Sequence, residues 1–201
     1  MTMTFLRIPG LACLSFLAAC SSPYNPLADY EQLNPSTILA TPEATANTDY
    51  PAEQVARGKY MVGLLGCGSC HTNGALIGEA RQNQLLAGSD TGIAYSNPLA
   101  VNNPGVVYPA NLTPDMETGI GSWTIDQIIT MLQTGVDNHS GQTLPVMPWP
   151  SYAHIEAEDA LAIASYLKSL PPVRHRVPTN VAPGRKATAP FVHFGVYRSK
   201  Q

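Results

Sequence analysis

Cys67-Gly68-Ser69-Cys70-His71 decides how this chain is read. The pattern C-x-x-C-H is the attachment signature of a c-type haem. Two thiols add across the vinyl groups, and the histidine that follows is held where its imidazole can bind the iron from one side. Cys-x-x-Cys alone also serves zinc sites and thioredoxin-like redox pairs. A four-ligand zinc site would need a second Cys/His cluster. No cysteine follows Cys70, and His139, His154, His175 and His193 are scattered. The βαβ setting of a thioredoxin-like pair is absent. The stretch therefore predicts one covalent haem c on Cys67 and Cys70, with His71 as the proximal ligand.

The other two cysteines belong to the N-terminus. Arg7 is the only charge there, and the apolar run Ile8 to Ala19 is shorter than the ~20 residues a membrane span needs. Residues 1–19 read as a secretory signal peptide. Its end, Leu17-Ala18-Ala19-Cys20, resembles the lipobox of bacterial lipoproteins, so Cys20 is the expected lipidation site. Residues 20–50, rich in Ser, Pro, Asn, Thr and Ala, read as the lipidated Cys20 and a flexible linker. Residues 51–173 form the expected monohaem domain and residues 174–201 a basic C-terminal tail.

Charge is unevenly placed. All 14 acidic residues lie between Asp29 and Asp159, whereas six of the 11 basic residues follow Pro171 in a stretch without acids. Such asymmetry points to an electrostatic role for the tail. It can wrap its own acidic body, dock a partner or bind anionic lipid headgroups. No nucleic-acid partner is expected.

Three helices are predicted. The first runs from Pro51 to Leu65, with Val55, Met61, Leu64 and Leu65 on one side, and leads into the C-x-x-C-H. The second opens on the capping box Thr124-Ile125-Asp126-Gln127, carries Ile125, Ile128, Ile129 and Leu132, and stops at Gly135. The third spans Glu156 to Leu170, with a stripe of Leu161, Ala164, Tyr166, Leu167 and Leu170 and Lys168 in its last turn. Residues 72–122 read mostly as loop, a length that suits wrapping a large prosthetic group. The expected class is all-α: a small cytochrome c fold with about three main helices around one haem and long loops.

An electron-transfer haem needs a second axial ligand, and methionine raises the potential and closes the sixth position to small ligands. Met1 and Met3 leave with the signal, and Met61 and Met131 sit on helical faces as core. Met116 lies between two acids. Met147, in Leu144-Pro145-Val146-Met147-Pro148-Trp149, is braced by prolines and is the expected distal ligand. Met116, His139 and His154 are the fallbacks.

With these stretches in place, residues 52–173 resemble a class I cytochrome c domain. More narrowly, they resemble the cytochrome c domains of bacterial membrane-bound alcohol and gluconate dehydrogenases. The resemblance is carried by Arg57-Gly58-Lys59-Tyr60 before the haem motif, Tyr108 to Asp115, Thr118 to Trp123, Met147 to Tyr152, and Asp159 to Val173. It implies His71 and Met147 as axial ligands. It also implies that Asn111, Trp123 and Tyr152 fall in stretches lining the haem, propionates included. Two features depart from it: one domain where such subunits usually carry three, and a local expansion over residues 89–105.

The expected function is that of a lipid-anchored monohaem c-type cytochrome, an electron-transfer protein and not an enzyme. It would take electrons from an exported dehydrogenase and pass them to a respiratory-chain acceptor, on the periplasmic side of a bacterial membrane. A serine after the lipidated cysteine favours the outer membrane over the inner. The alternatives are a haem-based redox or gas sensor, or a haem enzyme with an open axial site. The coordination state separates them from a carrier.

Overall fold

The computed structural model describes residues 39–46, 49–98, 102–136 and 146–194. Its two longest helices, α1 (Ala52–Leu64) and α5 (Ala157–Lys168), meet at a glycine. A Cβ on Gly58 would lie 2.0 Å from the Ala162 carbonyl oxygen and 2.6 Å from Tyr166 Cβ, so the helices cross backbone to side chain and no larger residue fits. Val55, Gly58 and Val62, spaced by three and four, form the buried face. Leu64, expected on the apolar stripe, is 64% exposed. It lies two positions beyond Val62 and so points well away from the face that the glycine selects.

Helix α5 buries Ala160, Ala162, Ile163, Ala164, Ser165, Tyr166 and Leu167, a band wider than one stripe, because α1 packs against it and so does α3 (Ile125–Thr134). Leu161, expected in the stripe, stays exposed on the remaining side. Tyr166 is fully buried, and its hydroxyl donates to the Pro42 carbonyl. The Thr45 N–H donates to Ser169 O at 2.8 Å. Residues read as the end of a flexible linker thus lie on α5, and the packed body begins before Pro51.

Helix α3 starts on the expected capping box. The Gln127 N–H donates to Thr124 Oγ1 (3.2 Å), and the Thr124 N–H donates to Gln127 Oε1 (2.9 Å). It ends on Gly135 in the left-handed region at φ 71°. Two short helices join the three expected: α2 (Cys67–His71) and α4 (Trp149–Tyr152). Lys168, at the end of α5, donates from Nζ to the carbonyls of Gly121 (2.7 Å) and Trp123 (3.0 Å) and staples that turn to the helix.

The all-α expectation holds for the helices only, because a small sheet is also present. Strand β1 (Gly92–Ala94) pairs antiparallel with β2 (Val106–Val107) and parallel with β3 (Phe191–Val192), in the order β2-β1-β3. Two of these strands flank or fall within the stretch read as a loop expansion. The third comes from the tail, nearly a hundred residues further on, which no local pattern can announce. The tail packs on its own body at several points. Val181 forms an antiparallel bridge with Val106, and the Tyr108 hydroxyl donates to Ala189 O at 3.0 Å. These contacts are of the tail with its own body, while Arg176, Arg185 and Lys186 stay exposed. Cys20, His139 and residues 195–201 lie outside the described residues.

Candidate haem site

Gly66, left-handed at φ 67°, breaks the chain between α1 and α2 and lets the second helix start at once in a new direction. Within α2, Cys67, Cys70 and His71 stand at i, i+3 and i+4, so they share one face. Both cysteines are free thiols. Burial pushes Cys67 up to about 11 and raises Cys70 as well. Among the described residues no group of three or more Cys, His, Asp and Glu side chains could hold a metal ion.

The His71 ring is clamped. Its Nδ1 lies 2.7 Å from the Ala110 carbonyl oxygen. A carbonyl only accepts, so Nδ1 carries the proton and donates, which leaves the Nε2 lone pair free for a metal. Burial lowers the pKa of this imidazole, and the Ala110 bond acts the other way. The main chain is held too: Gly88 N–H donates to His71 O at 2.8 Å. A neutral imidazole with Nε2 free, and two thiols on the same helical face, is a donor set that fits covalent haem.

Tyr152 is buried beside both thiols. Burial, with a smaller contribution from Cys67 and Cys70, pushes its hydroxyl up to about 12. Its oxygen lies 3.5 Å from Leu65 O, and Trp149 meets its ring edge-on at 6.3 Å. Trp149 in turn rests on Gly135, where a Cβ would come within 2.6 Å of the indole. Met147 is half-buried against the same apolar cluster as Cys67, Trp123, Ile125 and Ile129. Of the fallback ligands, Met116 is 68% exposed and His154 is exposed. Asn111, expected near the haem, is buried with both ends engaged by protein. Its amide donates to Val173 O (2.7 Å) and Thr118 Oγ1 (3.2 Å), and its oxygen accepts from Thr113 N–H (2.9 Å) and Oγ1 (2.7 Å).

A partly open space of about 260 Å³ lies beside α2, lined by residues that include Leu39, Pro42, Val62, Gly68 and Ser69. Neither thiol nor His71 lines it, so it is not the haem crevice. Ala110, Gly88 and His175 take part in holding His71 without having been singled out from the sequence. Their roles lie in main-chain groups and long-range contacts, and no motif marks them.

No protein-family model matches the chain. Curated relatives do. It is 30% identical over 156 residues to the fructose dehydrogenase cytochrome subunit of Gluconobacter japonicus, covering 78% of this chain and 28% of that one. It is 31% identical over 121 residues to the cytochrome c subunit of the quinone alcohol dehydrogenase of Gluconobacter oxydans, covering 59% and 22%. It is 31% identical over 131 residues to the gluconate 2-dehydrogenase cytochrome c subunit of Pantoea cypripedii, covering 64% and 26%. The chain thus spans less than a third of the length of these relatives. A C-x-x-C-H helix and identity over most of this chain agree: it is a homologue of the cytochrome c subunits of bacterial dehydrogenase complexes.

Proposed function

We propose that this chain is a monohaem c-type cytochrome that carries electrons from an exported dehydrogenase to a respiratory acceptor. The observation that carries the reading is the Nδ1–H bond from His71 to Ala110, which leaves Nε2 directed to a ligand's role on the face that also bears Cys67 and Cys70. A bound haem c supplies one-electron iron chemistry. Cys67 and Cys70 would fix the group by thioether bonds, and His71 would be the proximal ligand. Met147, half-buried beside the same apolar cluster, would be the distal one and would close the iron to small molecules. Tyr152, Trp123 and Trp149 exclude water around it. Two protein ligands would suit electron exchange and would leave no open position for catalysis.

Residues 1–19 are cleaved as a lipoprotein signal, and lipid on Cys20 holds the domain at the periplasmic side of the membrane through the following segment. Two or more acyl chains suffice, at about 0.8 kcal/mol per buried methylene. Among the described residues no helix is long and apolar enough to cross a membrane.

The test is direct. Pigment from the purified chain should resist acid–acetone extraction and give one haem per polypeptide as the pyridine haemochrome. It should disappear in a Cys67→Ala, Cys70→Ala double variant. Extractable pigment, or a second haem per chain, would sink the reading. Cys20→Ala should move the protein from the membrane fraction to the soluble periplasm.

A further inference from the structure

The two groups that clamp His71 are both held, one residue away, by the same remote segment. Ala110 accepts the ring bond, and its neighbour Asn111 donates to Val173 O at 2.7 Å. Gly88 binds the His71 carbonyl, and its neighbour Ala87 accepts from His175 Nδ1 at 2.8 Å. His175 Nε2 reaches Asp90 Oδ1 at 3.0 Å, and the His175 N–H donates to Thr118 Oγ1 at 3.0 Å. Gly88 is the junction. A Cβ there would meet Val177 Cγ1 at 2.5 Å and the backbone of Asn111 and Pro109 at 2.9 Å, so loop, loop and strap touch with no space between them. None of Val173, His175 and Val177 hydrogen-bonds to His71 itself.

We propose that residues 173–177 form a positioning strap for the proximal histidine, with Asn111 and His175 as its anchoring side chains, and that the strap sets the reduction potential of the iron. This rests on His71 being an axial ligand, as read above. A ligating imidazole whose other N–H is shared with an acceptor is a more basic ligand, and its outer partners fix the ring orientation. More electron density from the imidazole favours the ferric state. The Ala110 carbonyl does this only while held at 2.7 Å, and what holds it is the next residue, Asn111, bonded to Val173 O of the strap. The hydrogen bonds of the strap are concentrated on the two loops that grip His71, which turns a C-terminal extension into an outer support of the site.

The test uses the full chain with its pigment attached. His175→Ala should keep the covalent haem and its low-spin spectrum and should shift the His71 Nδ1 proton resonance. It should reduce hydrogen-exchange protection at the Gly88 amide. The equilibrium constant for reduction should rise about threefold, or about 28 mV at 59 mV per tenfold for one electron. His175→Gln, whose amide still donates to Ala87, should recover part of each change. Lys186→Ala, exposed on the same C-terminal segment, should alter none. If His175→Ala does not accumulate, Val177→Ala loosens the strap against Gly88 through apolar contact alone and is read the same way. An unchanged potential in a variant that has lost Gly88 protection would overturn the inference and leave the strap purely structural. An unchanged potential with protection intact would overturn it equally. A wild-type chain without covalent pigment fails the functional reading instead, before any variant is made.

Discussion

The two sides of the candidate haem site are built differently. On the His71 side three segments converge: residues 86–91, residues 108–113 and the strap from Val173 to Val177. They are joined by bonds of 2.7–3.0 Å through Ala110, Asn111, Gly88 and His175. On the Met147 side the ligand candidate leads into α4, a helix of four residues, and Val146 before it sits at φ 82°. A β-branched residue in the left-handed region is a genuine outlier and costs of order 1–3 kcal/mol. One side is overdetermined, and the other holds its side chain against a local strain. Ligand lability should follow that difference.

The largest expected effect lies on the clamped side. Gly88→Ala places a methyl against Val177 and the Asn111 backbone at a residue with φ 86°. Overpacking and backbone strain together should cost roughly 3 kcal/mol, a fall of about 10 °C in melting temperature for a domain of this size. A fall under about 2 °C would show that the three segments give way easily and would remove the contrast between the two sides. Next comes Met147→Ala. Truncating a half-buried methionine should cost about 1–2 kcal/mol, less than a full core deletion. The far-red absorption of sulfur–iron ligation should vanish, and the ferrous protein should take up carbon monoxide. A spectrum unchanged by this substitution would exclude Met147 as the ligand.

A smaller effect of opposite sign sharpens the comparison. Val146→Gly relieves the left-handed strain, offset in part by glycine's greater freedom in the unfolded chain, and should stabilise by about 1 kcal/mol while slowing displacement of Met147 by cyanide. Destabilisation would mean that the Val146 side chain contributes packing that outweighs its backbone cost.

The smallest effect belongs to neither side. Arg57 and Asp159 form an exposed ion pair at 2.7 Å between α1 and α5. The hydrogen bond from Arg57 lowers the Asp159 pKa below the usual carboxylate range. A depressed folded-state pKa contributes stability above the unfolded value, and that contribution is lost as pH falls through the folded one. Arg57→Gln should therefore melt slightly earlier than the wild type at neutral pH, with the two curves converging in acid and in high salt. A gap that persists in acid would trace instead to the stacking of Arg57 over Tyr60, whose ring centroid lies 5.7 Å away.

Much of the helical frame was legible because each helix carries its own signals. Thr124 and Gln127 cap α3 within four residues, and Gly135 ends it. Elsewhere the hydrophobic pattern misled. Leu64 and Leu161 look like core by type and spacing, yet both face outward, because the α1–α5 contact is made by Gly58 and Ala162 and the inward face is chosen by smallness and not by hydrophobicity. Asn111 was expected to line the haem. The structure engages its side chain with Thr113, Thr118 and Val173, a function that only its distant partners could reveal.

By itself the sequence determined the local chemistry of this protein. The C-x-x-C-H spacing places two thiols and an imidazole on one helical face wherever that helix lies, and Met147 between prolines marks itself as a constrained loop side chain. Tertiary structure alone decided what those groups lean on. The Ala110 carbonyl, the Gly88 amide, and the Val173 carbonyl with His175 come from three separate stretches between residues 88 and 175, and they meet because the C-terminal segment folds back on the two loops. Main-chain donors and acceptors are present at almost every residue, so no sequence pattern distinguishes the few that close contacts select.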